Sequence, residues 1–418
     1  MLEEIKSNLG NPEELEKLYR SDRKSFKASF DDLYKESPGS DLVKFWRVRL
    51  DYGNSAEVFK GISRSEILVV LAICLVTTFF IKLPAIAGLP DNEVFYMKNA
   101  ALIVFLGVTL YSLWINRITD ISKLLMTAAV FTVPAVYLNL LPSTAPSDAV
   151  GLVYMHFPFM MLFIYSVIFN RFDFTDPGKR ISFIRYLGDL AVFYAMIAIA
   201  GMILTVITMG LFKSIGLHVE QFYMENIALS GAVAAPVIAS YLIEKFPSLV
   251  NRIASLIALI FSPVVLLTLL VFLSTMIITG KDPYNNRDFL FIFNVMLLGV
   301  MAIIIFSVSE TSVIKFRKFN AIILLLLTIV SIIIDLFALS AIFYRLSAFG
   351  LSPNRLAVVV SNILVLVNLG MIMPGLIRIN FRGEGFSGVE TIIAKYLPVY
   401  LVWIVFVVFC FPLIFGVN

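Results

Sequence analysis

From Ile67 to the C-terminus, long apolar runs alternate with short polar connections, and the runs set the elements. Eleven of them fall near residues 67 to 86, 99 to 116, 124 to 141, 149 to 169, 187 to 212, 227 to 243, 253 to 279, 289 to 308, 321 to 343, 356 to 378 and 396 to 415. Backbone groups inside hydrocarbon must be satisfied within the segment. Runs this long, dense in Leu, Ile, Val and Phe, therefore predict α-helices rather than the ten-residue alternation of a barrel. The fold class is all-α: a polytopic transmembrane helical bundle of about eleven spans, with a range of ten to twelve. The range reflects a first run broken near Lys82 and Pro84, and a short sixth run carrying Ser230, Gly231 and Pro236. Pro134, Pro158, Pro236, Pro263 and Pro374 lie inside spans. They point either to interrupted helices that expose backbone groups or to kinks that membrane helices tolerate.

Ahead of the spans, residues 1 to 63 form a separate cytoplasmic helical hairpin, and residues 64 to 418 the transmembrane domain. Asn11 is placed as an N-cap, Pro12 at the first helical position and Glu14 where a capping box closes. Leu15, Leu18, Tyr19, Phe26, Phe30, Leu33 and Tyr34 then recur at helical spacing, so one helix is expected from Pro12 to the stop at Pro38 and Gly39. Leu42, Phe45, Trp46 and Leu50 predict a second apolar stripe. Two such helices bury little by themselves. The expectation is docking on the membrane domain or its interface, with a protein partner bound through residues 1 to 63 as the alternative.

Composition agrees with the pattern: 59% of residues are hydrophobic and 15% charged, and the mean hydropathy of +0.91 belongs to membrane proteins. Charge adds orientation. With the N-terminus inside, the cytoplasmic connections hold Arg117, Arg171, Arg180, Lys245, Arg317, Arg382 and others, twice as many basic residues as the opposite connections. Lysine and arginine are retained on the cytoplasmic side, which predicts a cytoplasmic N-terminus and a periplasmic or extracellular C-terminus. The first apolar run follows a long charged segment and is expected to act as a signal anchor rather than a cleaved signal peptide. The net charge of +4 comes mainly from loops facing anionic headgroups, so membrane lipids, and no nucleic acid, are the expected partners.

Chemistry-bearing motifs are sparse. Cys74 and Cys410 both lie in spans and read as packing residues. His218 with Glu220 and Glu225 lacks metal-ligand spacing, and Asp173 with Asp176 reads as a solvated loop. No cofactor, no metal and no catalytic residue is assigned, and an enzyme is the less favoured class. What stands out is a charge inside a span, which costs at least about 2.5 kcal/mol near the bilayer centre.

Asp335, flanked by Ile332, Ile333, Ile334 and Leu336 in the ninth run, is the leading candidate for substrate or proton binding. Asn294, Asn362 and Asn368 carry amides at comparable depth, and Arg345 and Arg355 bracket the following turn. Together they predict a polar cavity on the outer side. Asp335, Asn362 and Asn368 would face it, Asn294 would contribute, and Arg355 and Arg345 would stand at the rim. In the turn, Gly350 is expected to end one helix and Ser352 to cap the next, leaving amides that with the two arginines could hold an anion or lipid headgroup. Tyr344, His156 beside Pro158, and Glu310 near Lys315 and Arg317 are weaker candidates.

Tyr344, Arg345 and the run Gly350-Leu351-Ser352-Pro353-Asn354-Arg355, after a long apolar helix bearing Asp335, resemble the bacterial integral-membrane family catalogued as domain of unknown function 4153. The N-terminal run Asn11-Pro12-Glu13-Glu14-Leu15-Glu16-Lys17-Leu18-Tyr19-Arg20 with Phe45-Trp46 is similar to inner-membrane proteins of the Bacteroidota. The resemblance implies a bacterial inner (cytoplasmic) membrane and carries over no activity. Many spans, short connections and an embedded acid point to a secondary transporter or a lipid or anion translocator with a small-molecule, anion or lipid substrate. A structural or partner-binding component of an envelope complex is the alternative, followed by an intramembrane enzyme on a lipid-linked substrate.

Overall fold

The computed structural model describes residues 2–9, 11–22, 25, 26, 29, 30, 33, 43, 45, 46 and 50, and then 63–88, 92–142, 147–214, 217–279, 287–311 and 317–417. It divides into two compact units, Met1–Leu68 and Val69–Asn418.

In the first unit, α1 (Leu2–Ser7) leads to α2 (Pro12–Ser21). Asn11 caps α2 by accepting the Glu14 amide at 3.4 Å, but Glu14 turns to Lys17 instead of reaching back, so the capping box is one-sided. The helix expected to run on to Pro38 stops at Asp22, whose backbone is extended. The Asp22 carboxylate accepts the Ser25 amide at 3.1 Å and the Ser25 hydroxyl at 2.7 Å. A short acid that bonds its own backbone competes with helix continuation, so one residue ends one helix and caps the next. Leu15, Phe26, Phe30, Leu33, Val43, Trp46 and Leu50 are buried together. Trp46 is the hub, 5.6 Å from Tyr19 and 5.1 Å from Phe26. Phe45, expected in the buried stripe, is 59% exposed, and Val43 takes its place. Tyr34, Pro38, Gly39 and Leu42 lie outside the described residues.

The second unit is all-helical among the described residues. Its helices are α3 (Arg64–Ile81, which begins in the first unit), short α4 (Leu83–Ala87), α5 (Asn92–Ile115), α6 (Ile121–Leu140), α7 (Asp148–Phe169), α8 (Pro177–Ser214) and α9 (Glu220–Lys245). After them come α10 (Pro247–Thr279), α11 (Arg287–Thr311), α12 (Arg317–Phe349), α13 (Pro353–Arg382) and α14 (Ser387–Phe415). Eleven of the described helices are long and apolar enough to cross a membrane. Several overshoot the apolar runs. At 1.5 Å per residue, the 38 residues of α8 extend roughly 57 Å, nearly twice the hydrocarbon thickness of about 30 Å. The five prolines expected to interrupt spans sit inside unbroken helices. The irregular turn is instead the π segment Met224–Ala228 within α9.

Cross-helix bonds join starts to ends, so the helices they link run antiparallel. Lys98 at the start of α5 donates to the Leu141 carbonyl after α6, and Ser147 before α7 donates to Gly416 after α14. One core gathers Leu266, Ile304, Leu324, Leu327, Leu369, Ile372 and Ile393 from α10 to α14, with Ile181 and Ile184 of α8. A second gathers Leu102, Leu138, Val153, Met161 and Val408 from α5, α6, α7 and α14. The turns at Arg117, Arg171 and Arg382 share one end of the bundle, here termed the basic end.

Candidate functional site

Asp335 sits near the middle of α12, 18 residues after Arg317 and 14 before Phe349. That is deeper than the apolar run suggested, because the helix continues beyond the run at both ends. Its side chain is 0% exposed, and neither carboxylate oxygen has a hydrogen-bond partner. Thr328 and Ser331 on the same helix are also buried, and each satisfies its hydroxyl on the carbonyl four residues earlier.

The facing helices bring an amide and a phenol to this level. Asn380 of α13 donates to the Ala321 carbonyl of α12 at 3.0 Å. That antiparallel register sets Asp335 opposite Leu366, roughly 3 Å along the axis from Asn368. Asn368 is 0% exposed; its amide donates to the Tyr400 hydroxyl of α14 at 3.0 Å, while its Oδ1 has no partner. Tyr400 in turn lies within electrostatic reach of Asp335. Three buried acceptor oxygens, two on Asp335 and one on Asn368, are thus left without donors at a similar depth along α12 and α13.

The remaining amides form a separate pair. Asn362 donates to Asn294 Oδ1 at 2.8 Å, about two turns nearer the opposite end. Asn362 thus pairs with Asn294 and not with Asp335, which is fully buried. A crevice of about 70 Å³ lies elsewhere, between α7, α8 and α14, with Ser166 and Arg180 its polar members.

Gly350 ends α12 with φ of 73°, and Ser352 caps α13 by accepting the Arg355 amide at 3.3 Å. Arg355, however, folds back on the turn. It donates to the Phe349 and Gly350 carbonyls at 2.8 and 2.6 Å and lies over the Phe349 ring. Its Nη1 closes the end of α12, so Arg355 is neither a rim group directed at Asp335 nor an open anion ligand. Arg345 is half-buried and Tyr344 is 49% exposed on the same last turns. His156 bonds through Nδ1 to the Leu152 carbonyl of its own helix at 2.9 Å.

Glu310 is buried near the end of α11, and Lys315, its expected partner, lies outside the described residues. Its surroundings form a polar network that sequence reasoning missed. Arg185 of α8 donates to the Ser309 carbonyl and to Glu390 of α14, each at 2.7 Å. One turn on, Asp189 is 7% exposed, with Oδ1 unpartnered and Glu310 as its charged neighbour. Gly188 permits this approach, since a Cβ there would stand 2.0 Å from the Phe306 ring of α11. Beside it runs a chain of hydroxyls from Ser112 through Tyr165 and Tyr186 to Ser240, with steps of 3.1, 2.8 and 2.8 Å, which stitches α5, α7, α8 and α9 together. The available signal was the i, i+4 spacing of Arg185 and Asp189. Starting the fifth run at residue 187 made both look like headgroup-level residues.

Outside the spans, Asp173 is held down to about 2 by the hydrogen bond from Lys179, aided by Thr175. Among the described residues no three His, Cys, Asp or Glu side chains converge as metal ligands. Fold and polar layers together define a multi-pass, all-α membrane protein with acids buried at two levels. No family model, no curated protein and no solved structure matches the chain.

Proposed function

We propose that this is a proton-coupled secondary carrier for a small molecule, anion or lipid, with Asp335 as the group that takes up and releases the coupled proton. One observation carries the reading: Asp335 is sealed in mid-helix with both oxygens unpaired. A structural acid would be locked to a base or ringed by donors, because a bare carboxylate in low dielectric costs several kcal/mol. A neutral acid avoids that cost, and its O–H supplies the donor that Asn368 Oδ1 lacks. The arrangement is therefore the occluded, proton-loaded state of a cycle whose other state opens Asp335 to water. Asn368 and Tyr400 position the acid, and their helices α13 and α14 are the elements that separate from α12 on opening. Placement in a bacterial inner membrane with the basic end cytoplasmic, and membership of the family resembled through Gly350 to Arg355, belong to the same proposal.

The test is flux in proteoliposomes under an imposed pH gradient, screened over amino acids, organic anions and fluorescent lipids, with wild type beside Asp335→Asn. Wild type is expected to accumulate a substrate when the gradient is applied, whereas the variant retains at most passive exchange, insensitive to pH. Equal gradient-driven flux in both proteins removes Asp335 from the coupling step.

A further inference from the structure

We propose that the crevice between α7, α8 and α14 at the basic end is a binding site for an anionic phospholipid, with one acyl chain in the crevice and the phosphate against Arg180. Leu162, Phe163, Phe183, Leu187 and Leu397 give this space of about 70 Å³ an apolar wall. Its two polar members are engaged elsewhere. Ser166 donates to the Phe163 carbonyl of its own helix at 2.7 Å, and Arg180 donates from Nε and Nη2 to the Phe174 carbonyl and from Nη1 to the Ala394 carbonyl. Water needs several polar partners to occupy a cavity, so this one takes an apolar guest. Leu162, Phe163, Leu187 and Leu397 keep partial exposure, so the space is open rather than sealed.

The depth of the crevice suits a lipid. α7 has 22 residues and rises roughly 33 Å, about the hydrocarbon thickness, so its end at Phe169 marks the membrane boundary. From Ser166 and Arg180 near that boundary, the lining runs inward to Leu162 and Leu187, roughly 10 to 15 Å into the acyl layer. Charge selects the headgroup. The carbonyl bonds satisfy donors of Arg180 but not its charge, and among the described residues it has no carboxylate partner. Asp173 is taken by Lys179, and Asp176 accepts the Gly178 amide at 2.8 Å at the start of α8. Lys395, next to Ala394, is exposed and likewise in no ion pair among the described residues. A half-buried guanidinium without a counter-charge, beside an apolar slot, is the arrangement in which basic pockets between membrane helices hold lipid phosphates. Its bonds use one N–H on each nitrogen and leave a second on Nη1 and on Nη2 for the phosphate oxygens. The bound lipid thus joins α7, α8 and α14 at the end where Arg180 already ties the turn after α7 to α14.

Photocrosslinking in nanodiscs tests the site. Full-length protein is embedded in phosphatidylcholine with a trace of phosphatidylglycerol carrying a mid-chain diazirine, irradiated and digested. Crosslinks are expected on the peptides that hold Leu162 to Ser166 and Phe183 to Leu187. Unlabelled phosphatidylglycerol should displace the probe about fivefold better than phosphatidylcholine, the preference that one arginine near the surface gives an anionic headgroup. Arg180→Gln should abolish that preference. Since Arg180 also holds the turn, Leu397→Trp gives a second reading: it fills the crevice from α14 with Arg180 in place, and should remove most of both crosslinks while the protein stays monodisperse. The site stands apart from the carrier reading, so Asp335→Asn should crosslink like wild type. Equal competition by the two lipids, displacement by inorganic phosphate alone, undiminished crosslinks in Leu397→Trp, or crosslinks confined to other spans overturns the proposal.

Discussion

Gly188 carries more of the architecture than its lack of a side chain suggests, because the Phe306 ring occupies the space a Cβ would need. Gly188→Ala is expected to cost about 1–3 kcal/mol by overpacking, measured as loss of monodisperse protein after heating in detergent. Adding Phe306→Leu should restore most of the loss. Asp173 shows the opposite case, an acid in water. Its folded value of about 2 lies below the usual 3.8, so the stability it contributes is present above 3.8 and is lost as pH falls through about 2. Both partners of the Asp173–Lys179 pair are largely solvated, and solvent screens such pairs. Lys179→Ala should therefore melt within about one degree of wild type at neutral pH. Whatever deficit remains should vanish in acid, as thermal scans across pH will show.

At the scale of elements, the turn between α12 and α13 is closed by one side chain. Nη1 of Arg355 satisfies two carbonyls that the end of α12 would otherwise present to solvent. Arg355→Ala should lower thermal stability by about 1–2 kcal/mol, and Arg355→Lys should recover only part, because an ammonium loses the planar contact over the Phe349 ring. Neither change should alter the response of flux to pH, which separates this staple from Asp335 in the same proteoliposome assay. The prolines make a related point. Pro134, Pro158, Pro236, Pro263 and Pro374 each lie inside a helix that continues on both sides, so proline alone does not end a membrane helix.

For the whole molecule, eleven crossings place the turns in two sets. Single cysteines at Arg117→Cys and Glu384→Cys should react with an impermeant maleimide only after the cells are opened. His218→Cys and Leu351→Cys should react in intact cells. The excess of Arg and Lys at the first set predicts that His218→Cys and Leu351→Cys react from outside. Labelling of all four from the same side would break the eleven-span arrangement.

Length and apolar density settled the class and the number of spans, since a backbone in hydrocarbon has few ways to satisfy itself and about twenty apolar residues suffice to cross. The cap at Asn11, the stop at Gly350 and the cap at Ser352 were legible for a similar reason: each depends on residues within one turn of itself. Asp335 was legible as an anomaly, one acid in an apolar run. Its surroundings were not, because which polar groups share the depth of Asp335 depends on the register of α12 and α13, fixed by distant contacts such as Asn380 with Ala321, and on the pairing of Asn368 with Tyr400. The course of Arg355 was hidden because a long flexible side chain reaches a headgroup, an acid or its own turn at similar cost. Asp189 and Glu310 were hidden because each lies near an apolar boundary in one dimension, where charge is ordinary. The close approach of α8 and α11 at Gly188 accompanies the burial of both residues.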